Sequence, residues 1–260
     1  MNIVVCVKHV PDAQSERTFN EDTTTDREGV DGLLSELDEY PIEEALKLVE
    51  AAGEGEVTVL TVGPDRAGDA IKKALQMGAH KGVHVNDAAI HGSDAVATSL
   101  VLAEAIKKVG AVDLVLTGLA STDGSMSVVP AMLAERLGLP QVTFASELSV
   151  EGGTVRIRRD GDTASETIEA QLPAVVSVTD QINEPRYPSF KGIMAAKKKP
   201  VEAWSLADLG VDAGSVGLAA AWTKVESFEK RPPRQQGQVV PDEGEGGTKL
   251  AQFLAAQKFI

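Results

Sequence analysis

The sequence predicts an α/β protein in which a parallel sheet carries an added antiparallel meander and a C-terminal arm. Apolar segments of strand length alternate with amphipathic helical segments through residues 1–139, and this order is typical of a parallel sheet with helical crossovers. Beyond Pro140, short segments of alternating apolar and polar residues follow one another across glycine turns, which indicates antiparallel strands. A final amphipathic stretch stands apart at residues 248–259.

The first part of the chain contains the predicted parallel sheet. We expect strands at residues 2–7, 57–62, 82–85 and 114–116, and helices at residues 39–52, 67–77 and 94–109 and from Met126 onwards. Residues 11–34 are polar and predict a long loop with room for a small hairpin, and loops of this length are often functional. Residues 35–38 (Ser-Glu-Leu-Asp) are predicted to cap the first helix.

The second part is predicted to extend the sheet and then leave it. Strands are expected at residues 143–150, 155–159, 167–170 and 173–178, followed by an exposed proline-rich segment at residues 181–200. A short helix at residues 205–209 and a linker at residues 231–247 precede the terminal helix. We therefore divide the chain into an α/β domain, residues 1–200, and a C-terminal extension, residues 201–260.

Composition narrows the class of protein. The 260 residues are 43% hydrophobic, enough for a full core, and the formal net charge of −14 argues against a nucleic-acid partner. The single cysteine, Cys6, excludes an internal disulfide and lies in an apolar strand, where a packed thiol is expected rather than a nucleophile. No apolar run reaches the ~20 residues of a membrane span. We expect a cytoplasmic protein that does not insert into a membrane.

A polar turn separates the fourth predicted strand from the fourth predicted helix, at residues 118–127. A strand, a turn of small residues and a helix together aim free backbone N–H groups at an anion. Glycine permits close approach, and Ser and Thr hydroxyls add donors. The turn therefore predicts a nucleotide phosphate site. The alternative is an ordinary turn in which a Ser or Asp, such as Asp123, forms the N-cap of the helix.

Other common sites find no support in the sequence. The four histidines, His9, His80, His84 and His91, lack the spacing of a metal site, and no Ser-His pair accompanies Asp123. Neither G-x-G-x-x-G nor GxxxxGK[ST] follows the first strand, which disfavours a Rossmann dinucleotide site and a P-loop. We expect neither a metal nor a catalytic residue in this chain.

Several segments, taken in order, resemble one family. NIVVCVKHVPD, DEYPIEEALKL, VDLVLTGLASTDG, GLPQVTFASEL and NEPRYPSFKGIMAAKKKP are similar to segments of the β subunit of electron-transfer flavoprotein, over about the first 212 residues. The resemblance implies a three-layer α/β fold of the adenine-nucleotide-binding type. It also implies a heterodimer in which the α subunit holds most of a redox-active FAD and the β subunit binds one AMP.

The resemblance further implies an electron carrier rather than an enzyme. Electrons would pass from acyl-CoA and similar dehydrogenases to the FAD, then to a membrane quinone oxidoreductase and the respiratory chain, as in fatty acid β-oxidation. The C-terminal extension would contact the α subunit. Carried over by position, the AMP site would consist of Cys6, Ser35, Glu36, Leu37, Asp38, Val62, Gly118, Leu119, Ala120, Ser121, Thr122, Asp123, Gly124, Ser125, Met126, Ser127, Val128 and Val129.

A second implied site would bind the client dehydrogenases. It lies in residues 183–199, with Phe190 as the apolar anchor and a basic cluster after it. The residues carried over are Glu184, Pro185, Arg186, Tyr187, Phe190, Met194, Lys197, Lys198 and Lys199.

The sequence departs from the family pattern beside the expected nucleotide. Ser35-Glu36-Leu37 replaces a segment that usually contains Asn-Pro, and Ala120 and Val128 stand where Gln is usual. These changes remove side-chain amide contacts but leave backbone N–H donors in place. Three alternatives stay open: an electron-bifurcating form with a second FAD in place of AMP, a stand-alone ATP-binding stress-type protein, and an ATP pyrophosphatase.

Overall fold

The computed structural model describes residues 1–234, 237 and 239–260. These residues form two compact units, Met1–Glu226 and Ser227–Ile260. The first unit contains every strand, and the second contains the C-terminal helix. Among the described residues, no helix is both long and apolar enough to cross a membrane.

Strands and helices alternate through the first unit. The strands are β1 (Asn2–Cys6), β2 (His9–Pro11), β3 (Gly32–Leu34), β4 (Glu56–Val62), β5 (Lys81–Val85), β6 (Leu114–Gly118), β7 (Gln141–Glu151), β8 (Thr154–Asp160), β9 (Ser165–Gln171), β10 (Ala174–Val178) and β11 (Val201–Trp204). The helices are α1 (Glu39–Ala52), α2 (Gly68–Met77), α3 (Ala95–Val109), α4 (Val129–Leu137), α5 (Phe190–Ala196), α6 (Leu206–Leu209), α7 (Gly217–Ala220) and, in the second unit, α8 (Gly246–Ala256).

A nine-stranded sheet in the order β11-β5-β4-β1-β6-β10-β7-β8-β9 forms the middle layer. Neighbours from β11 to β7 are parallel, and the last two pairs are antiparallel. Side chains of β1 alternate between two cores: Ile3 and Val5 pack with α1 and α2, whereas Val4 packs with α3 and α4. The three-layer α/β fold predicted from the sequence is confirmed.

The antiparallel meander lies at one edge of this sheet, as expected. The first residues of β7 pair parallel with β10, and the rest of β7 pairs antiparallel with β8. β7 begins at Gln141 instead of residue 143 because its first residues belong to the parallel sheet. One long strand therefore joins the parallel and antiparallel parts.

The opposite edge differs from the prediction. β11, Val201–Trp204, pairs parallel with β5, although no strand was expected there. Its residues are mostly exposed, so the strand lacks the apolar pattern of a buried one. Residues 201–204 therefore pair with the sheet of the first unit, although the sequence analysis placed them in the C-terminal extension.

Residues 11–34 are only partly a loop. β2 and β3 pair antiparallel at its base, and an isolated bridge joins Phe19 to Thr25. The small hairpin is therefore present.

In the second unit, α8 spans Gly246–Ala256, slightly earlier than the expected residues 248–259. The linker expected at residues 231–247 lies partly outside the described residues, at positions 235, 236 and 238.

Candidate functional site

The carboxyl ends of three adjacent strands form the base of the candidate site. Cys6 on β1 lies opposite Leu60 on β4 and Thr117 on β6. The hydroxyl of Thr61 donates to the carbonyl oxygen of Val7 over 2.8 Å, which ties β4 to the end of β1. Open α/β sheets bind ligands at this edge, so the strand ends named from the sequence are brought together.

Cys6 is a packed thiol, as expected. The residue is 8% exposed, and burial, followed by the negative charge of Asp38, raises the pKa of its thiol to about 12. A thiol with this pKa stays protonated at neutral pH and is a poor nucleophile.

Residues 35–38 pack across the strand ends through their polar side chains. The carboxylate of Asp38 accepts the backbone N–H of Lys8 over 2.7 Å, and the hydroxyl oxygen of Ser35 accepts the backbone N–H of Thr122 over 3.2 Å. Ser35 precedes the short helical turn at Glu36–Asp38, and Asp38 is the N-cap residue of α1, so the predicted positions are confirmed. Neither side chain accepts a capping hydrogen bond, so the predicted side-chain caps are wrong. Both groups instead connect distant parts of the chain, a use that local sequence pattern does not reveal.

The buried carboxyl group of Asp38 has an unusual pKa. Burial raises this pKa to about 7, against the lowering effects of the Lys8 N–H and the Lys8 charge. The negative charge of Asp123 adds to the increase. Asp38 is thus a buried group that titrates near neutral pH beside the turn.

Gly118 is required by the packing of this segment. A Cβ atom at position 118 would lie 2.6 Å from the carbonyl oxygen of Leu37 and 2.8 Å from Oδ1 of Asp38. The close approach expected for a phosphate is therefore already made by the protein's own backbone. Any larger residue would displace residues 37–38 from the end of β6.

The segment at residues 118–129, from the last residue of β6 to the first residue of α4 and hereafter the β6 turn, has an unusual backbone. Ser125 and Ser127 have φ angles of 50° and 57°, and Val128 has φ −101° and ψ −19°. Left-handed residues next to right-handed ones turn successive N–H groups to one side, an arrangement that binds anions. The turn leads into the N-terminus of α4, which also attracts negative charge.

Helix α4 begins at Val129, later than the expected Met126, and its N-cap residue is Val128. No side chain caps it, so the alternative of a Ser or Asp N-cap is wrong. Asp123 instead forms ion pairs with Lys8 at 2.8 Å and with Arg27 at 3.6 Å. Burial alone would raise the pKa of Asp123, but the charge and hydrogen bond of Lys8 lower it to about 2.

Three basic residues beside the turn were not among the predicted site residues: Lys8, Arg17 and Arg27. Arg17 donates to the carbonyl oxygens of Thr122 and Asp123 over 2.9 and 3.3 Å. Two signals could have indicated them, namely the position of Lys8 just beyond the end of β1 and the length of the loop that contains the arginines.

The other residues expected around AMP differ in exposure. Glu36, Gly124 and Met126 are exposed, whereas Leu119, Ala120 and Ser121 are half-buried. Val62 ends β4 opposite Val85 of β5. Within the described part of the chain, no three His, Cys, Asp or Glu side chains are placed to hold a metal ion.

Residues 183–199, hereafter called the docking segment after the role expected from the sequence, are anchored to the α/β unit by charged side chains. The guanidinium of Arg186 bonds the carboxylates of Glu43 and Glu50 at 2.7 and 2.6 Å. These two hydrogen-bonded carboxylates raise the pKa of Arg186. Lys199 donates to the carbonyl oxygens of Leu75 and Gly78, at the C-terminus of α2, over 2.9 and 3.0 Å.

The rest of the docking segment projects apolar side chains into solvent. Tyr187 is 91% exposed and Phe190 80% exposed, and Met194 is also exposed. Glu184, Lys197 and Lys198 are exposed, while Pro185 is half-buried. Of the residues predicted to dock a partner, Arg186 and Lys199 are therefore engaged within the chain. The short helix α5 within this segment was not predicted.

The parallel sheet with a polar turn at its carboxyl edge defines the class, an open-sheet α/β protein. The family model for the electron transfer flavoprotein domain matches residues 22–209. A relative in Mycobacterium tuberculosis, named electron transfer flavoprotein subunit beta, is 50% identical over 100% of this chain and 99% of its own length. The chain therefore belongs to the electron transfer flavoprotein family, among its β subunits.

Two more distant relatives support the same family assignment. The subunit beta of Megasphaera elsdenii is 34% identical over the full length of both chains, 100% of each. The protein named caffeyl-CoA reductase-Etf complex subunit CarD of Acetobacterium woodii is 35% identical over 92% of each. Because electron transfer flavoprotein subunits are carriers, the prediction of an electron carrier rather than an enzyme is confirmed.

Proposed function

We propose that this chain binds AMP at the β6 turn and completes the pocket of an FAD held mainly by an α subunit. The observation that carries the AMP proposal is the left-handed backbone at Ser125 and Ser127. Such a conformation costs roughly 1–2 kcal/mol for each non-glycine residue. It persists where surrounding structure imposes it, often at ligand sites.

The chemistry around the turn suits a phosphate. Backbone N–H groups at a helix N-terminus supply donors, and they do not depend on the side chains of Ala120 or Val128. Lys8, two residues beyond the end of β1, brings a positive charge to Asp123 within the turn. The buried thiol of Cys6 would pack beside the ligand without reacting. This chain would hold the nucleotide in place while the partner subunit carries the redox group.

Cofactor content tests the AMP proposal. The chain is produced together with its α subunit, the complex is denatured, and released FAD and AMP are measured by chromatography. We expect equimolar FAD and AMP. Twice as much FAD and no AMP would favour the electron-bifurcating form. A complex that releases neither AMP nor a second FAD would contradict both the AMP form and the bifurcating form.

A substitution in the β6 turn gives a second test. Ser127→Val should lower the AMP content of the complex, because a β-branched residue tolerates positive φ poorly. Ser149→Val, on an exposed strand position of the meander, is the matched control and should leave the AMP content unchanged. Equal AMP content in both variants would place the phosphate elsewhere.

We also propose that the docking segment binds the client dehydrogenases. The exposure of Tyr187 and Phe190 between two anchored ends supports this role, since an apolar anchor within a polar surround is how small hot spots bind. Acyl-CoA and similar dehydrogenases are the proposed clients. The name of the Acetobacterium woodii relative, which belongs to a caffeyl-CoA reductase complex, supports partners that act on CoA thioesters.

Phe190→Ala tests the docking proposal. Reduction of the complex by an acyl-CoA dehydrogenase should slow about tenfold, as expected for loss of a hot-spot aromatic, while bound FAD and AMP stay unchanged. Trp222→Ala removes a similarly exposed aromatic (86%) outside the segment and should have little effect on this rate. Equal rates for Phe190→Ala and the unaltered protein would remove the anchor role.

The last part of the proposal concerns the acceptor of the electrons that leave the FAD. Electrons would pass from the FAD to a membrane quinone oxidoreductase and the respiratory chain, with this chain working in the cytoplasm. Reduction of such an oxidoreductase by the purified complex is the direct measurement. Failure of the reduced complex to pass electrons to it would leave the acceptor to be sought among other redox proteins.

A further inference from the structure

Hydrogen bonds fix the conformation of the loop at residues 12–31. The backbone N–H of Asp12 donates to the carbonyl oxygen of Asp31 over 2.9 Å and closes the loop at its base. Arg66 donates to the carbonyl oxygens of Arg27 and Val30 over 3.3 and 3.2 Å. These contacts hold the loop in one shape before any ligand is considered.

Arg17 extends from this loop to the β6 turn. Its guanidinium donates to the carbonyl oxygen of Thr122 over 2.9 Å and to that of Asp123 over 3.3 Å. A planar peptide group fixes its N–H direction once its carbonyl is fixed. Arg17 therefore orients two consecutive peptide groups of the turn, just before the left-handed residues Ser125 and Ser127.

Arg27 makes the second connection between the loop and the turn. It pairs with the carboxylate of Asp123 at 3.6 Å and also donates to the carbonyl oxygen of His9 over 3.3 Å. The side chain of Asp123 is nearly buried and bonds Lys8 as well. The backbone N–H of Gly124 donates to the same carboxylate over 2.7 Å. Arg27 thus restrains the side chain on which the start of the strained stretch depends.

We propose that residues 12–31 clamp the β6 turn, and that Arg17 and Arg27 are the positioning residues that set how tightly the site retains its phosphate ligand. The inference rests on the AMP site proposed above. Strained backbone persists only where its surroundings hold it. Without the two arginines, the turn can relax to ordinary conformations, and the backbone that follows Asp123 is no longer held in one conformation before the ligand binds. The ligand must then supply that ordering from its own binding energy.

The test compares AMP retention in complexes made with the α subunit. Unaltered protein, Arg17→Ala and Arg27→Ala are loaded with AMP, and its dissociation constant is measured by titration. We expect each variant to bind AMP about tenfold more weakly, the scale of losing one charge-assisted restraint. Arg156→Ala, which removes an exposed arginine paired with Glu169 on the meander, is the charge-matched control and should bind AMP as the unaltered protein does.

A second measurement separates positioning from general instability. Arg17 is exposed, so Arg17→Ala should keep the melting temperature that the unaltered complex has without nucleotide. Arg17→Lys, which retains the charge but cannot bond both carbonyls in the same way, should bind AMP with intermediate affinity. Unchanged AMP affinity in Arg17→Ala and Arg27→Ala would overturn the clamp. Unaltered protein that binds no AMP would instead contradict the proposed function.

Discussion

The β6 turn and the docking segment use charged side chains in opposite ways. At the turn, polar side chains are directed inward: the carboxylate of Asp123 pairs with the ammonium of Lys8, and the carboxyl group of Asp38 accepts the backbone N–H of Lys8. In the docking segment, Arg186 and Lys199 secure the two ends, and the apolar side chains between them point outward. The turn is thereby built to hold a shape, and the segment to present a surface.

This difference shows that a residue's type does not reveal its use. Lys8 and Lys199 are both lysines two residues away from a strand of the sheet. Lys8 pairs with a carboxylate of the turn, whereas Lys199 bonds carbonyl groups at the end of α2. The desolvation of their partners determines how much each contact contributes. Substitutions at the turn should therefore alter the pH dependence of stability and the retention of the ligand. Substitutions in the docking segment should alter how firmly it is anchored or which partner surface it can contact.

The largest expected effect is at Asp38. An unfolded Asp ionises near 3.8, but the folded protein keeps the proton up to about pH 7, so unfolding between these values releases a proton. Rising pH then favours unfolding by at most about 1.4 kcal/mol for each pH unit in this range. Asp38→Asn should remove this contribution, so its stability relative to the unaltered protein should rise with pH and level off above about 7.

Urea unfolding at several pH values measures this difference for Asp38→Asn. Asp162→Asn, at an exposed turn of the meander, is the control and should follow the unaltered protein at every pH. A constant stability difference for Asp38→Asn across the range would mean that the carboxyl of Asp38 is not held protonated by burial.

The next effect is the loss of the anchor in the docking segment. Arg186→Ala leaves Glu43, only 8% exposed, without its cationic partner, although the backbone N–H of residue 186 can still donate to the carboxylate. The loss should therefore cost about 2–3 kcal/mol, less than a fully unpaired buried charge. Arg158→Ala breaks surface pairs with Glu147 and Asp160 on the meander and should cost about 1 kcal/mol or less, because exposed pairs are screened by solvent. Equal free energies of unfolding for the two variants would show that Arg186 is not an anchor.

The smallest effect compares the same substitution in both regions. Ser127→Gly should be neutral or stabilise the protein by up to about 1 kcal/mol, because glycine adopts positive φ without penalty. Ser189→Gly should destabilise it by a few tenths of a kcal/mol, since the hydroxyl oxygen of Ser189 accepts the N–H of Gly192 at the start of α5. Melting temperatures that shift in the same direction would remove the contrast between the two regions.

Much of the fold could be predicted because periodicity reports burial directly. The apolar runs of β1 and β6 indicated central parallel strands, and the glycine turns indicated the meander. β11 was missed because an exposed edge strand carries no such pattern. The β6 turn was identified as a candidate site from its residue types. The side-chain caps expected of Ser35 and Asp38, and the alternative cap at Asp123, do not form because those side chains bond groups distant in sequence.

By itself, the sequence determined the α/β class, the alternation of elements and the family, because these depend on local pattern and on the order of segments along the chain. Only the tertiary structure decided that Arg17 and Arg27 reach the β6 turn, that Arg186 serves its own chain, and that Asp38 titrates near neutral pH. The physical reason is that long-range hydrogen bonds and the desolvation of charges depend on which residues meet after folding. The surroundings that shift the pKa of a carboxyl group exist only after folding, when the neighbouring strands pack around it.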